Sequence, residues 1–116
     1  MIRDIKRQIE KAKQSKRLII VEGKKDKQAL EKLGFENEKI FLLNNGKSIK
    51  RNIEIINEMA RNVIILTDFD KKGKELYKKL KQDLGQMSIK IDNSLRNSLS
   101  KQVSHIQGLA NFIDQN

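Results

Sequence analysis

The feature that most constrains this chain is the succession of three short apolar runs, Leu18-Ile19-Ile20-Val21, Ile40-Phe41-Leu42-Leu43 and Val63-Ile64-Ile65-Leu66. None alternates with polar residues, as a strand buried on both faces of a parallel sheet would not. Between them the apolar period becomes helical. Lys24 to Leu33 read as a helix closed by Gly34. Ser48 is placed to cap a helix carrying Ile49, Ile53, Ile56 and Ala60 on one face. A further helix is expected from Gly73, with Leu76, Leu80 and Leu84 inward and Gly85 at its end. Ahead of the first run, Ile2, Ile5, Ile9 and Ala12 form the stripe of an amphipathic helix. Met87 to Ile91 alternate as an edge strand does. Leu95, Leu99, Val103, Ile106, Leu109 and Ile113 indicate one or two short C-terminal helices, with Gly108 against a single unbroken one. The expectation is an α/β fold with a mainly parallel, four-stranded sheet flanked by helices. One domain spans residues 1–116: a basic N-terminal helix (1–16), a core (17–91) and a C-terminal helical extension (92–116).

Composition narrows the chemistry. The 116 residues contain no Cys, which excludes disulfides, thiolate metal sites and a Cys nucleophile. A single His rules out paired-His zinc chemistry. No apolar run approaches the ~18 residues of a membrane span, and no secretory signal opens the chain, so a cytoplasmic protein without membrane association is expected. The formal net charge of +10 favours an anionic partner, and nucleic acid is the commonest. Its placement is uneven: residues 1–20 hold seven Lys and Arg against Asp4 and Glu10, and residues 71–81 hold six Lys against Glu75 alone.

Ligands of open α/β sheets bind beyond the carboxyl ends of the strands. The first run ends in Glu22-Gly23 and the third in Thr67-Asp68-Phe69-Asp70. Parallel strands deliver these acids to one edge, and residues two apart on a strand point the same way, so Asp68 and Asp70 can converge on one cation. Carboxylates held together repel, and a divalent cation removes that cost. Mg²⁺ takes oxygen ligands, often one or two carboxylates with phosphate oxygens; Mn²⁺ is the alternative. Gly23 and Gly73 leave backbone open beside the acids, while Lys24, Lys25, Lys71, Lys72 and Lys74 are suited to phosphate. Asp68 or Asp70 alone would read as a helix cap, and Asp26 reads equally as a first-turn acid or a site residue. Asn44-Asn45-Gly46-Lys47-Ser48 imitates the end of a P-loop, but Phe41 stands where that motif requires Gly. Asn45 and Gly46 can instead help to hold phosphate at the same edge. Tyr77 reads as a packing residue, and His105 as a surface or half-buried His for which the sequence supplies no catalytic partner.

Val21-Glu22-Gly23-Lys24-Lys25-Asp26 followed by Leu66-Thr67-Asp68-Phe69-Asp70-Lys71-Lys72-Gly73 resembles the Toprim domain of topoisomerases, primases and certain nucleases. The whole chain is similar to small stand-alone Toprim proteins of archaea and bacteria, whose bacterial relatives include a ribosomal-RNA maturation ribonuclease. The resemblance implies a general acid/base role for Glu22 and Mg²⁺ coordination by Asp68 and Asp70, with Glu22 beside them. It also has departures. Tyr77, the sole Tyr, follows the acids and lies on no separate nucleophile domain, the Cys-free chain lacks a primase zinc module, and Lys74 replaces an acid found in many topoisomerases. Strand cleavage or nucleic-acid binding is therefore expected, with RNA ahead of DNA. The first reading is an Mg²⁺-dependent nuclease acting on structured RNA. The rival is a non-catalytic nucleic-acid-binding subunit of an RNA-processing or ribosome-associated assembly, with protein partners of its own.

Overall fold

Successive residues of a strand face opposite sides, so an all-apolar run must be covered twice, and the helices of this chain do so. The computed structural model describes residues 2–115; the side chain of Ile2, expected in the N-terminal stripe, lies outside the described residues. The order is α1 (Ile2–Gln14), β1 (Leu18–Val21), α2 (Lys24–Lys32), β2 (Ile40–Leu42), α3 (Ile49–Met59), β3 (Asn62–Ile65), α4 (Lys71–Gln86), β4 (Lys90–Ile91), α5 (Ser94–Leu99) and α6 (Leu109–Gln115). Single 3₁₀ turns occupy Asn37–Lys39 and Ile106–Gly108. All strand pairs are parallel, in the order β2-β1-β3-β4, with Ile19 opposite Ile40, Ile20 opposite Ile65 and Val63 opposite Ile91.

One face of the sheet presents Ile19, Val21, Ile64 and Leu66 to Ile5, Ile9 and Ala12 of α1, Leu30 of α2, Leu95 and Leu99 of α5, and Ile106 and Leu109. The other presents Leu18, Ile20, Val63 and Ile65 to Ile53 and Ile56 of α3 and Leu80 and Leu84 of α4. The first three strands lie within one residue of the expected runs, β2 ending at Leu42 and β3 spanning Asn62–Ile65, and three differences are larger. Helix α4 begins at Lys71 rather than Gly73, because the Asp70 side chain accepts a hydrogen bond from the Gly73 N–H (2.8 Å) and so caps the helix earlier. It also runs through Gly85, since burial of Leu80 and Leu84 outweighs the ~1 kcal/mol helix cost of one glycine. The expected edge strand from Met87 shrinks to Lys90–Ile91, because Met87 ends α4 and Ser88 turns the chain at φ 62°. Gly34 closes α2 with φ 98°, as its position predicts. Among the described residues no helix is long and apolar enough to cross a membrane.

Candidate functional site

Strands β1 and β3 are neighbours, yet the chain leaves β1 toward β2 on one side and β3 toward β4 on the other. Such a reversal opens a crevice at the carboxyl edge, where α/β folds bind ligands. Glu22 leaves β1 here and Thr67 to Asp70 leave β3. The Asp68 N–H donates to Glu22 Oε2 at 2.8 Å, tying the two strand ends together.

Asp68 and Asp70 do converge, but not through the strand pleat, since β3 stops at Ile65 and both acids lie in the loop before α4. Phe69 between them turns into the core beside Leu66 and Leu95. Each carboxylate uses one oxygen structurally. Asp68 Oδ1 accepts from the Ile106 N–H (2.8 Å), and Asp70 Oδ1 accepts from the Gly73 N–H (2.8 Å). The Oδ2 atoms face His105, whose Nδ1 lies 3.3 Å from that of Asp68 and 3.9 Å from that of Asp70. One donor atom from each of these three residues lies within 4.8 Å of the other two. Two carboxylate oxygens with their partners already fixed suit a divalent cation that keeps several waters, so these residues fit the Mg²⁺ expected of them.

Buried Arg96 braces the loop from below. It is 6% exposed, stacked between Phe69 (4.8 Å to the ring centre) and Tyr77 (4.2 Å), and donates to the carbonyls of Ile65 (3.2 Å) and Thr67 (2.7 Å). Burial pulls its guanidinium below its ordinary value, opposed by the fields of Tyr77, Glu22 and Asp68. Its positive charge thus lies under the acids and offsets their repulsion. Tyr77 packs on this cation and donates to Asn93 Oδ1 at 2.6 Å, the structural part expected of it.

The remaining residues divide. Gly23 precedes α2, and its N–H donates to Asp26 Oδ2 (3.0 Å). Asp26 is therefore a buried first-turn acid whose carboxyl is raised above its ordinary value, chiefly by burial and further by the charges of Asp68 and Glu22. Lys24 and Lys25 are exposed in the first turn of α2, as are Lys71, Lys72 and Lys74 at the start of α4. Gly73, expected to leave backbone open, is buried instead, because the Asp68 main chain packs directly on it. The Asn45 side chain is committed to its own loop: it donates to Leu42 O and Asn52 Oδ1 and accepts from the Lys47 N–H. Gly46, at φ 84°, makes the turn. Adjacent Asn44 lies closer to the acid edge, its N–H bonded to Glu22 O (2.9 Å).

Sequence reasoning missed His105 and Arg96. For Arg96 the spacing carried no signal, because the stripe of Leu95, Leu99, Val103 and Ile106 runs unbroken past it. For His105, to which the sequence assigned no catalytic partner, the structure supplies two acidic neighbours, Asp68 and Asp70. The Phe69 N–H donates to Ser104 O (3.0 Å) and the Ile106 N–H to Asp68, so two hydrogen bonds stitch this distant segment to the acid loop.

Residues 17–106 match the family model described as the Toprim domain. The chain is 38% identical over 93 residues to a UPF0292 protein of Thermococcus sibiricus, covering 80% of this chain and 71% of that one. It is 42% identical over 85 residues to a UPF0292 protein of Thermoplasma volcanium, covering 73% of this chain and 71% of that one. A solved protein structure from Aquifex aeolicus superposes with a TM-score of 0.77 at 30% identity, covering 92% of this chain and 96% of that one.

Proposed function

Since the chain belongs to the Toprim domain family, we propose that it catalyses divalent-cation-dependent phosphoryl transfer on nucleic acid, as a nuclease acting on structured RNA. The observation that carries this reading is the pairing of Asp68 and Asp70, each with Oδ1 held by a backbone N–H and Oδ2 turned to a common point. Asp68 and Asp70 would hold the cation through those Oδ2 atoms. Bound there, Mg²⁺ or Mn²⁺ would supply Lewis acidity toward a water and toward charge on the leaving oxygen. Glu22 keeps one oxygen on the Asp68 N–H, which orients its other oxygen for proton transfer to or from the reacting groups. The first turns of α2 and α4 bring the positive ends of both helix dipoles and five exposed lysines to the phosphate backbone. Arg96 keeps the acid loop in register without touching substrate.

The second reading is nucleic-acid binding without cleavage, within an RNA-processing assembly. It is favoured by the structural use of Glu22, whose carboxylate already joins two strand ends. Labelled structured RNA and DNA, incubated with Mg²⁺, with Mn²⁺ or with chelator, separate the two. Cleavage that chelator abolishes supports the nuclease; retention of the nucleic acid with no product in any cation supports the binding module.

A further inference from the structure

The lone His of the chain meets both acids of the site, and the fold is built to bring it there. Residues 104–106 are distant in sequence from the acid loop, yet hydrogen bonds on either side of His105 join them to the Phe69 main chain and the Asp68 carboxylate. Ile106 is fully buried and anchors the segment in the core. The imidazole itself is half exposed, so packing does not account for its position.

The spacing is that of ligands sharing an ion. Around a cation with bonds of about 2.1 Å, adjacent octahedral donors stand about 3.0 Å apart and opposite ones about 4.2 Å. His105 Nδ1 lies between those limits from both acids, 3.3 Å from Asp68 Oδ2 and 3.9 Å from Asp70 Oδ2. An all-oxygen site suits Mg²⁺, whereas an imidazole nitrogen suits the divalent ions of the first transition row from Fe²⁺ to Zn²⁺, with Mn²⁺ at the weak end of that series. We infer that His105 is a nitrogen ligand to the cation held by Asp68 and Asp70, and that it biases the site toward transition-row ions over Mg²⁺, with Mn²⁺, the weakest of that row, serving as the spectroscopic probe. This rests on the cation-binding reading of the two aspartates and adds to it both a ligand and a metal preference.

The test reads the metal directly. The full chain is loaded with Mn²⁺ at mildly alkaline pH, and electron spin-echo modulation reports whether a ¹⁴N nucleus is bound. Competition with Mg²⁺ gives the selectivity. The parent protein is expected to show imidazole modulation, which needs no variant to fold. His105→Ala is expected to lose that modulation and to weaken Mn²⁺ by about tenfold or more, leaving Mg²⁺ affinity nearly unchanged. Mn²⁺ bound to the parent without ¹⁴N modulation, or equal weakening of both ions in the variant, overturns the ligand role while leaving the aspartates as the cation site. A parent that binds neither ion overturns the cation reading itself.

Discussion

The α-carbon of Gly73 rests against the main-chain carbonyl of Asp68 so closely that a β-carbon there would lie 2.0 Å from the oxygen. The contact is backbone on backbone, so no side chain can swing away. The Thr67 hydroxyl also donates to Gly73 O at 2.7 Å, fastening the start of α4 beneath the acid loop. Gly73→Ala is expected to cost about 1–3 kcal/mol through overpacking and to weaken cation binding by displacing Asp68. Gly85→Ala is the contrast: nothing lies within 4 Å of its added methyl, so stability should rise by up to about 1 kcal/mol. Thermal melts of both, with Mn²⁺ titration of the first, check the pair.

The acids should separate by role. Asp68→Asn and Asp70→Asn keep an oxygen for the Ile106 and Gly73 N–H groups but lose ligand charge, so cation affinity and cleavage should fall together, with partial rescue at high Mg²⁺. Glu22→Gln can still accept from the Asp68 N–H but cannot move a proton. It should bind RNA as the parent does and cleave about 10²–10⁴-fold more slowly, without rescue by added Mg²⁺. Cleavage rates across an Mg²⁺ series, with RNA binding measured in parallel, distinguish these outcomes; parent-like cleavage by all three variants would place the chemistry elsewhere.

Asp26 should make stability depend on pH. Burial is the main cause of its raised carboxyl, the Gly23 N–H opposes it, and Asp68 and Glu22 add to it. A raised folded value means that the folded state binds the proton more tightly than the unfolded chain. Stability is therefore lost as pH rises from the ordinary Asp value of ~3.9 through the raised one. Asp26→Asn retains an acceptor for the Gly23 N–H and carries no charge. Its melting temperature should exceed the parent's at neutral pH, and the difference should vanish below about pH 3.9.

The lysines at the start of α4 should appear in the salt dependence of binding. If Lys71 and Lys72 each neutralise a phosphate, the slope of log affinity against log salt contains about −0.9 per contact on duplex DNA and about −0.7 on single strands. Replacing both with Ala should flatten the slope by up to two such contacts. An unchanged slope would mark them as solvated lysines only.

The strands were legible because burial on both faces demands the apolar runs that supply all of β1, Leu18–Val21, and the buried part of β3 from Val63 to Ile65. The shared edge of Glu22 and Asp68 was legible for a related reason: parallel strands end on one side, wherever the helices between them pack. Element ends were harder to read. The start of α4 depends on the Asp70 carboxylate reaching the Gly73 N–H, a choice between helix and turn that a glycine position alone does not make. The length of β4 depends on where α4 releases the chain.

The local pattern of this sequence by itself determined the helices, the parallel sheet and the edge at which three carboxylates emerge, because apolar period and strand-end position are properties of neighbouring residues. Tertiary structure alone decided what surrounds those carboxylates. Arg96 beneath the loop and His105 across from both aspartates come from the C-terminal segment, whose sequence carries no spacing relation to Asp68-x-Asp70. They arrive because Leu95, Leu99 and Ile106 bury against the sheet. The main-chain groups of Ser104 and Ile106 then hydrogen-bond to the Phe69 N–H and the Asp68 carboxylate of the acid loop. Long-range packing, which no local periodicity encodes, put a cation under the site and an imidazole beside it.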